Sequence, residues 1–223
     1  MKISVLMPVY NRQKYIKEAI SSILNQTYKD IQLLIYDDGS TDNTIQIIES
    51  IKSNRIKLIK GLENKGVAFA RNQLILNCTT KYACWMDSDD ISIENRIERQ
   101  IEQIKDNTIV FCQWVWLKQV NGLWKKEEMP HSSFAFATAM FPVNKMILFK
   151  ENMKIGGEDW DWLEKMTAIY TNTVLIKEIL YLVRYHSDRI GHWKKKIRAK
   201  IPPKIIRKLS YKELIEYYKR NYE

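Results

Sequence analysis

The chain has 223 residues, 45% of them hydrophobic, enough for one sizeable core and too apolar for a disordered polymer. Its three unclustered cysteines, Cys78, Cys84 and Cys112, exclude a disulfide framework and a zinc site and fit a reducing cytosol. The net charge of +10 is uneven: 11 of the 36 basic residues but 3 of the 26 acidic ones fall from His192 to Glu223, leaving 25 against 23 before it. A nearly neutral body argues against nucleic-acid binding by the main domain, which would carry positive charge on its working surface. Met1-Lys2 leads straight into an apolar run closed by Pro8, too short for a signal peptide, and no run approaches the roughly 18 residues of a membrane span. The expectation is a cytoplasmic protein.

In chain order, ISVLM (3–7), IQLLIY (31–36), IKLI (56–59) and YACWM (82–86) are β-type runs, apolar enough to be strands covered on both faces. Apolar residues between and after them recur at one-sided helical spacing: Ile16, Ala19, Ile20, Ile23 and Leu24; Ile45, Ile48 and Ile51; Val67, Ala70 and Leu74; Ile93, Ile97, Ile101 and Ile104. This alternation predicts βαβ crossovers and an α/β fold with a mostly parallel sheet covered by helices on both faces. Ligands of such sheets bind beyond the carboxyl ends of the strands.

The four strands are followed by PVYNR (8–12), DDGST (37–41), GLENKG (61–66) and DSDD (87–90). Neither a G-x-G-x-x-G nor a G-x-x-x-x-G-K-[ST] is present, so dinucleotide and P-loop binding lack support. Each stretch has an ordinary explanation. DDGSTDNT suits a turn with Ser40, Thr41 or Asp42 capping the next helix, DSDD a capped loop, Tyr10 a half-buried aromatic and Arg71 a helix surface residue. Such explanations do not account for acidic clusters after two separate strands, whose repulsion along one sheet edge calls for a cation. A hard divalent ion takes one or two carboxylates plus substrate phosphates. Asp87-x-Asp89 suits it, because i and i+2 side chains at a strand end share a face.

ISVLMPVYN, SSILNQTYKDIQLLIYDDGSTDNT, ENKGVAFARN, WMDSDD and GGEDWDWL together resemble family 2 of the inverting glycosyltransferases with the GT-A (Rossmann-like) fold. The likeness runs through the first 105 residues and resumes at Gly156. It implies a nucleoside-diphosphate sugar donor, most often with uridine, and Mn²⁺ or Mg²⁺ as cofactor. Pro8 and Tyr10 would flank the base, Asp38 and Arg71 would contact the uracil, Asp87 would approach the ribose, and Asp89 would hold the metal. The same resemblance makes Asp159 the catalytic base. It also gives Arg184 and His186, in YLVRYHSDR (181–189), to the diphosphate or the metal shell.

Residues 1–105 would then form the donor half and 106–191 the acceptor-side half of one domain. Within the latter, Asn121-Gly122 between β-rich flanks predicts a hairpin over 109–126. Residues 131–149 read as core more than as pocket wall, and His131 as a surface loop residue. Glu158, Asp159 and Asp161 would occupy the first turn of a helix, where acids also suit the dipole. The basic tail, 192–223, alternates lysines with Ile, Leu, Trp and Tyr, a pattern that suits an anionic membrane surface and equally a solvated helical appendage or an oligomer contact. The expected function is metal-dependent inverting transfer of one sugar to a glycan or lipid-linked acceptor, with the inner face of the cell membrane as its expected place. The alternatives are a sugar-phosphate nucleotidylyltransferase, which would want a Gly- and Arg-rich loop in place of PVYNR, and a non-catalytic recruited binding module.

Overall fold

The four apolar runs are strands β1 (Ile3–Val9), β2 (Ile31–Asp37), β3 (Ile56–Lys60) and β4 (Tyr82–Trp85), all parallel, in the order β3-β2-β1-β4. The structure, a computed structural model, describes residues 1–131, 134–151 and 157–186. It divides into two units, Met1–Arg184 and Tyr185–Glu223; of the second only Tyr185 and His186 are described. The basic tail, 192–223, therefore lies outside the described residues.

Helices α1 (Ile16–Leu24), α2 (Thr44–Ser50) and α3 (Val67–Leu76) cross between the strands as the periodicity predicts. Helix α4 (Arg96–Ile101) is shorter than its apolar pattern, because Ile91–Ser92 form β5 and the Ile93 amide donates to Leu180 O at 2.9 Å, tying the start of the pattern to the sheet. Then come β6 (Thr108–Val120), β7 (Leu123–Lys126), β8 (Met140–Pro142), α5 (Glu158–Ile169) and β9 (Asn172–Tyr185). Strand β8 runs antiparallel to β4 and β6, and β5 antiparallel to β9, so a mixed sheet of order β3-β2-β1-β4-β8-β6-β9-β5 results. The hairpin β6–β7 turns at Asn121 (φ 51°) and Gly122 (φ 79°), the paired positive φ values of a tight turn whose twist matches its strands.

Alternation along the strands divides the core. Ile3, Val5, Met7 and Val9 face Ile16, Ile20, Ile48 and Ile97 of α1, α2 and α4. Leu6, Leu34 and Trp85 face Ala70 and Leu74 of α3 and Trp162 and Met166 of α5. Each Ile, Val, Leu or Met among them, fully buried, is worth about 1.5–3 kcal/mol. With both faces closed, the open ground is the edge where β1, β2 and β4 end.

Candidate active site

Three strand ends meet there. The Asp38 amide donates to Val9 O at 2.9 Å, and the Met86 amide to Leu6 O at 3.0 Å, so the loops after β1, β2 and β4 start side by side. Pro8 is tolerated in this inner strand because the pairing of β1 with β4 stops at Leu6↔Trp85, before the proline. Tyr10, just beyond, is 37% exposed.

The two loops after β1 and β2 are stitched together by side chains. The Asn11 amide donates to Ser40 Oγ (2.9 Å), the Thr41 amide to Asn11 Oδ1 (2.8 Å), and the Arg12 amide to Thr44 Oγ1 (2.8 Å). Asn11 adopts φ 49°, a left-handed conformation that asparagine tolerates. The N-cap of α2 is Asn43, without a side-chain cap, and not Ser40, Thr41 or Asp42; Asp42, one residue earlier, accepts from the Thr44 amide at 2.9 Å.

Asp38 is buried and accepts from the Lys65 amide at 3.0 Å and the Gly66 amide at 2.8 Å, capping α3 from another element. Burial raises its carboxyl above the ordinary value, although those two amides pull the other way. Beside it, Asp37 Oδ1 accepts from the Ser40 amide at 2.8 Å, while Oδ2 is buried with no hydrogen-bond partner among the described residues.

DSDD forms a turn after β4 rather than continuing the strand, and the turn brings Asp87, Asp89 and Asp90 together: one carboxylate oxygen from each lies within 4.8 Å of the others. Its charge is met from several sides. Arg12 Nε donates to Asp89 Oδ2 at 3.0 Å, and the Arg184 amide donates to Asp90 Oδ1 at 2.8 Å. The Asp87 amide donates to the hydroxyl of Tyr181 at 3.1 Å. Burial first, then Asp90 and Asp87, push that phenol well above its ordinary value. The Tyr181 ring in turn lies 4.8 Å from the guanidinium of Arg96, which is fully buried and donates to Trp85 O and Ala137 O.

Arg71 is buried rather than on the helix surface. Its Nη1 donates to Glu158 Oε1 at 3.0 Å, and its guanidinium lies over Phe136 and Phe149. Asp159 stands in the first turn of α5, as expected, its Oδ1 accepting from the Trp160 amide at 2.9 Å. Trp160 is 42% exposed and Trp162 fully buried, so Trp162 is the one that packs inward. Arg184 ends the first unit with its guanidinium on Glu18 of α1 at 2.6 Å, between the rings of Tyr15 and Trp124. His186 belongs to the second unit. His131 lies outside the strands, as expected, but is held by an isolated bridge opposite Trp114 of β6 and stacks on that ring at 4.2 Å.

The strand-end loops thus collect Pro8, Tyr10, Asp38, Asp87 and Asp89, while Arg71 and Asp159 are joined through Glu158. Arg12, Glu18, Asn72, Arg96 and Tyr181 were not legible as site residues. Arg12 and Asp89 are 77 positions apart and Glu18 and Arg184 are 166 apart, and no periodicity marks such pairs. A family model described as "Glycosyl transferase family 2" matches residues 4–184. The Escherichia coli protein named UDP-Glc:alpha-D-GlcNAc-diphosphoundecaprenol beta-1,3-glucosyltransferase WfgD is 40% identical over 109 residues, covering 49% of this chain and 43% of its own. Among solved structures, S. aureus TarS 1-349 in complex with UDP-GlcNAc is similar with a TM-score of 0.70 at 22% identity, over 87% of this chain and 61% of that one. The mannosyltransferase PcManGT from Pyrobaculum calidifontis, in complex with GDP-Man and Mn²⁺, is similar with a TM-score of 0.69 at 16% identity, over 88% and 60%. Those likenesses establish the GT-A fold. The chain spans between 27% and 60% of the length of the first curated relatives it matches.

Proposed function

The chain belongs to glycosyl transferase family 2, and from that premise we propose that it transfers a sugar, with inversion, from a uridine-diphosphate donor to a glycan or lipid-linked acceptor. The observation that carries this reading is the acidic turn, Asp87, Asp89 and Asp90, standing at the same strand ends as Asp38. TarS with UDP-GlcNAc and the lipid-linked acceptor in the name of WfgD support donor and acceptor class.

The base of the nucleotide would lie between Pro8, Tyr10 and Asp38, with Asp87 toward the ribose. The three carboxylates offer oxygen donors only, which fits a hard divalent ion, Mn²⁺ or Mg²⁺, held by Asp89 with Asp87 beside it. When bound, such an ion neutralises the charge that develops on the leaving diphosphate. Arg12 already balances Asp89 and orients it. Arg184 would have to leave Glu18 to reach a diphosphate; its backbone amide already serves the acidic turn through Asp90.

Asp159 would act as general base. As the acceptor oxygen bonds to the anomeric carbon and the bond to the diphosphate breaks, the hydroxyl proton passes to its carboxylate. The basic tail would hold the enzyme at an anionic membrane surface, where each basic residue adds on the order of 1 kcal/mol.

The test is nucleotide release from a panel of UDP- and GDP-sugars with Mn²⁺. Asp89→Asn should abolish metal-dependent turnover with the fold intact, and Asp159→Asn should lower transfer about 100-fold or more with donor binding retained. Full activity after exhaustive chelation, or turnover confined to GDP-sugars, would overturn the metal or the donor respectively.

A further inference from the structure

Helices α3 and α5 meet at a buried ion pair. Arg71 and Glu158, 6% and 9% exposed, are joined Nη1 to Oε1 at 3.0 Å. The guanidinium lies 4.3 Å from the Phe136 ring and 5.3 Å from that of Phe149. Its Nε is buried and has no hydrogen-bond partner among the described residues, so Glu158 is the anchor that fixes the group. The same aromatic cage continues into α5. Phe149 stacks on Trp162 at 5.3 Å with an interplanar angle of 6°, and Trp162 Nε1 donates to Ile147 O at 2.9 Å.

Glu158 and Trp162 are four residues apart and share one face of α5. Asp159, one residue after Glu158, is turned by about 100° from that face and remains half-buried. The helix begins on Gly157, at φ 98°, and its first bond is the Asp161 amide to Gly157 O at 3.0 Å. Two inward anchors, one ionic and one aromatic, therefore set the roll of the first turn and with it the direction in which Asp159 projects.

We propose that Glu158, gripped by Arg71, is a positioning residue for Asp159, and that breaking this pair leaves the base present but misdirected. The proposal rests on the reading of Asp159 as the group that takes the acceptor proton. A pair whose only task was packing would be expressed in stability; one that aims a catalytic group is expressed in kcat, because a displacement of about 1 Å can lower a rate on the order of 100-fold.

The experiment compares the full chain with Glu158→Gln and Arg71→Lys, which largely keep volume, and with the double variant. Amide hydrogen exchange over residues 158–163 needs no substrate. It should rise about 10-fold or more in each single variant, a local opening of the first turn, while residues 67–76 stay protected. In transfer assays kcat should fall about 10- to 100-fold with donor KM within about threefold, and the double variant should be no worse than the poorer single, as expected of two groups acting as one unit. Unchanged exchange would overturn the proposal, and so would singles whose losses multiply. A raised donor KM with kcat retained in Arg71→Lys would also overturn it, since that is the signature of Arg71 holding the donor base. If the wild type transfers from no donor while exchange responds as expected, the transferase reading fails and the Arg71–Glu158 grip on α5 stands.

Discussion

A single added methyl group separates two kinds of glycine in the strand-end loops. At Gly61 it would lie 2.8 Å from the Tyr36 hydroxyl and 2.9 Å from Asp37 O, a purely steric conflict. At Gly39 it would lie 2.6–2.9 Å from the backbone of Glu63 and Asn64, and the residue also has φ +75°. Overpacking costs about 1–3 kcal/mol and a left-handed φ about 1–2 kcal/mol more for alanine. Gly39→Ala should therefore lower the melting temperature more than Gly61→Ala, which itself should lose roughly 2–10 °C; equal losses would contradict the geometry. The cysteines give a second test. Burial pushes the thiols of Cys84 and Cys112 up to about 11, so both stay protonated and unreactive at pH 8. A thiol reagent should modify one group, Cys78, in the folded chain and all three in denaturant. Because the folded values are raised, the two buried thiols favour the native state below about pH 9, and that contribution is lost as pH climbs toward 11.

Between elements, Asn72 of α3 does the joining. Its amide donates to Phe149 O at 3.0 Å and to Glu151 at 2.7 Å, and its carbonyl accepts from the Phe149 amide at 2.7 Å. Asn72→Ala would leave buried backbone groups unsatisfied and should lower unfolding free energy on the order of 3 kcal/mol, measured by denaturant titration; a loss near zero would mean that the segment at Phe149 holds by other means. The parallel half of the sheet was legible because each βαβ unit writes its own period into a contiguous stretch, and the four runs and three of the four helices fall where the periods put them. The hairpin was legible from Asn121-Gly122 alone. What was not legible is whatever depends on distant partners. The Ile93 pattern gave no sign that its first residue would be tied to Leu180. The ordinary reading of Arg71 as a helix surface residue failed because the carboxylate it pairs with stands 87 positions away.

For the whole molecule, ligand binding should register as stability. On the proposed reading, UDP with Mn²⁺ at about 100 times its dissociation constant would add about 2.7 kcal/mol to a fold that alone binds it. That corresponds to a rise of roughly 5–10 °C in melting temperature for a chain of this size. Asp89→Asn should abolish the part of the shift that needs the metal; a wild-type shift independent of Mn²⁺ would argue against the acidic turn as its seat.

The place of β8 carries a consequence for synthesis. Strand β4 is complete once Trp85 has emerged, yet the neighbour on its far side is Met140–Pro142, with Ala83 opposite Phe141. Until that segment leaves the ribosome, β4 shows a bare row of hydrogen-bonding groups flanked by Trp85 and Cys84, the kind of edge on which chains aggregate. Residues 1–105 are thus not a module that can be cut out and moved to another scaffold, because β8 has to travel with them.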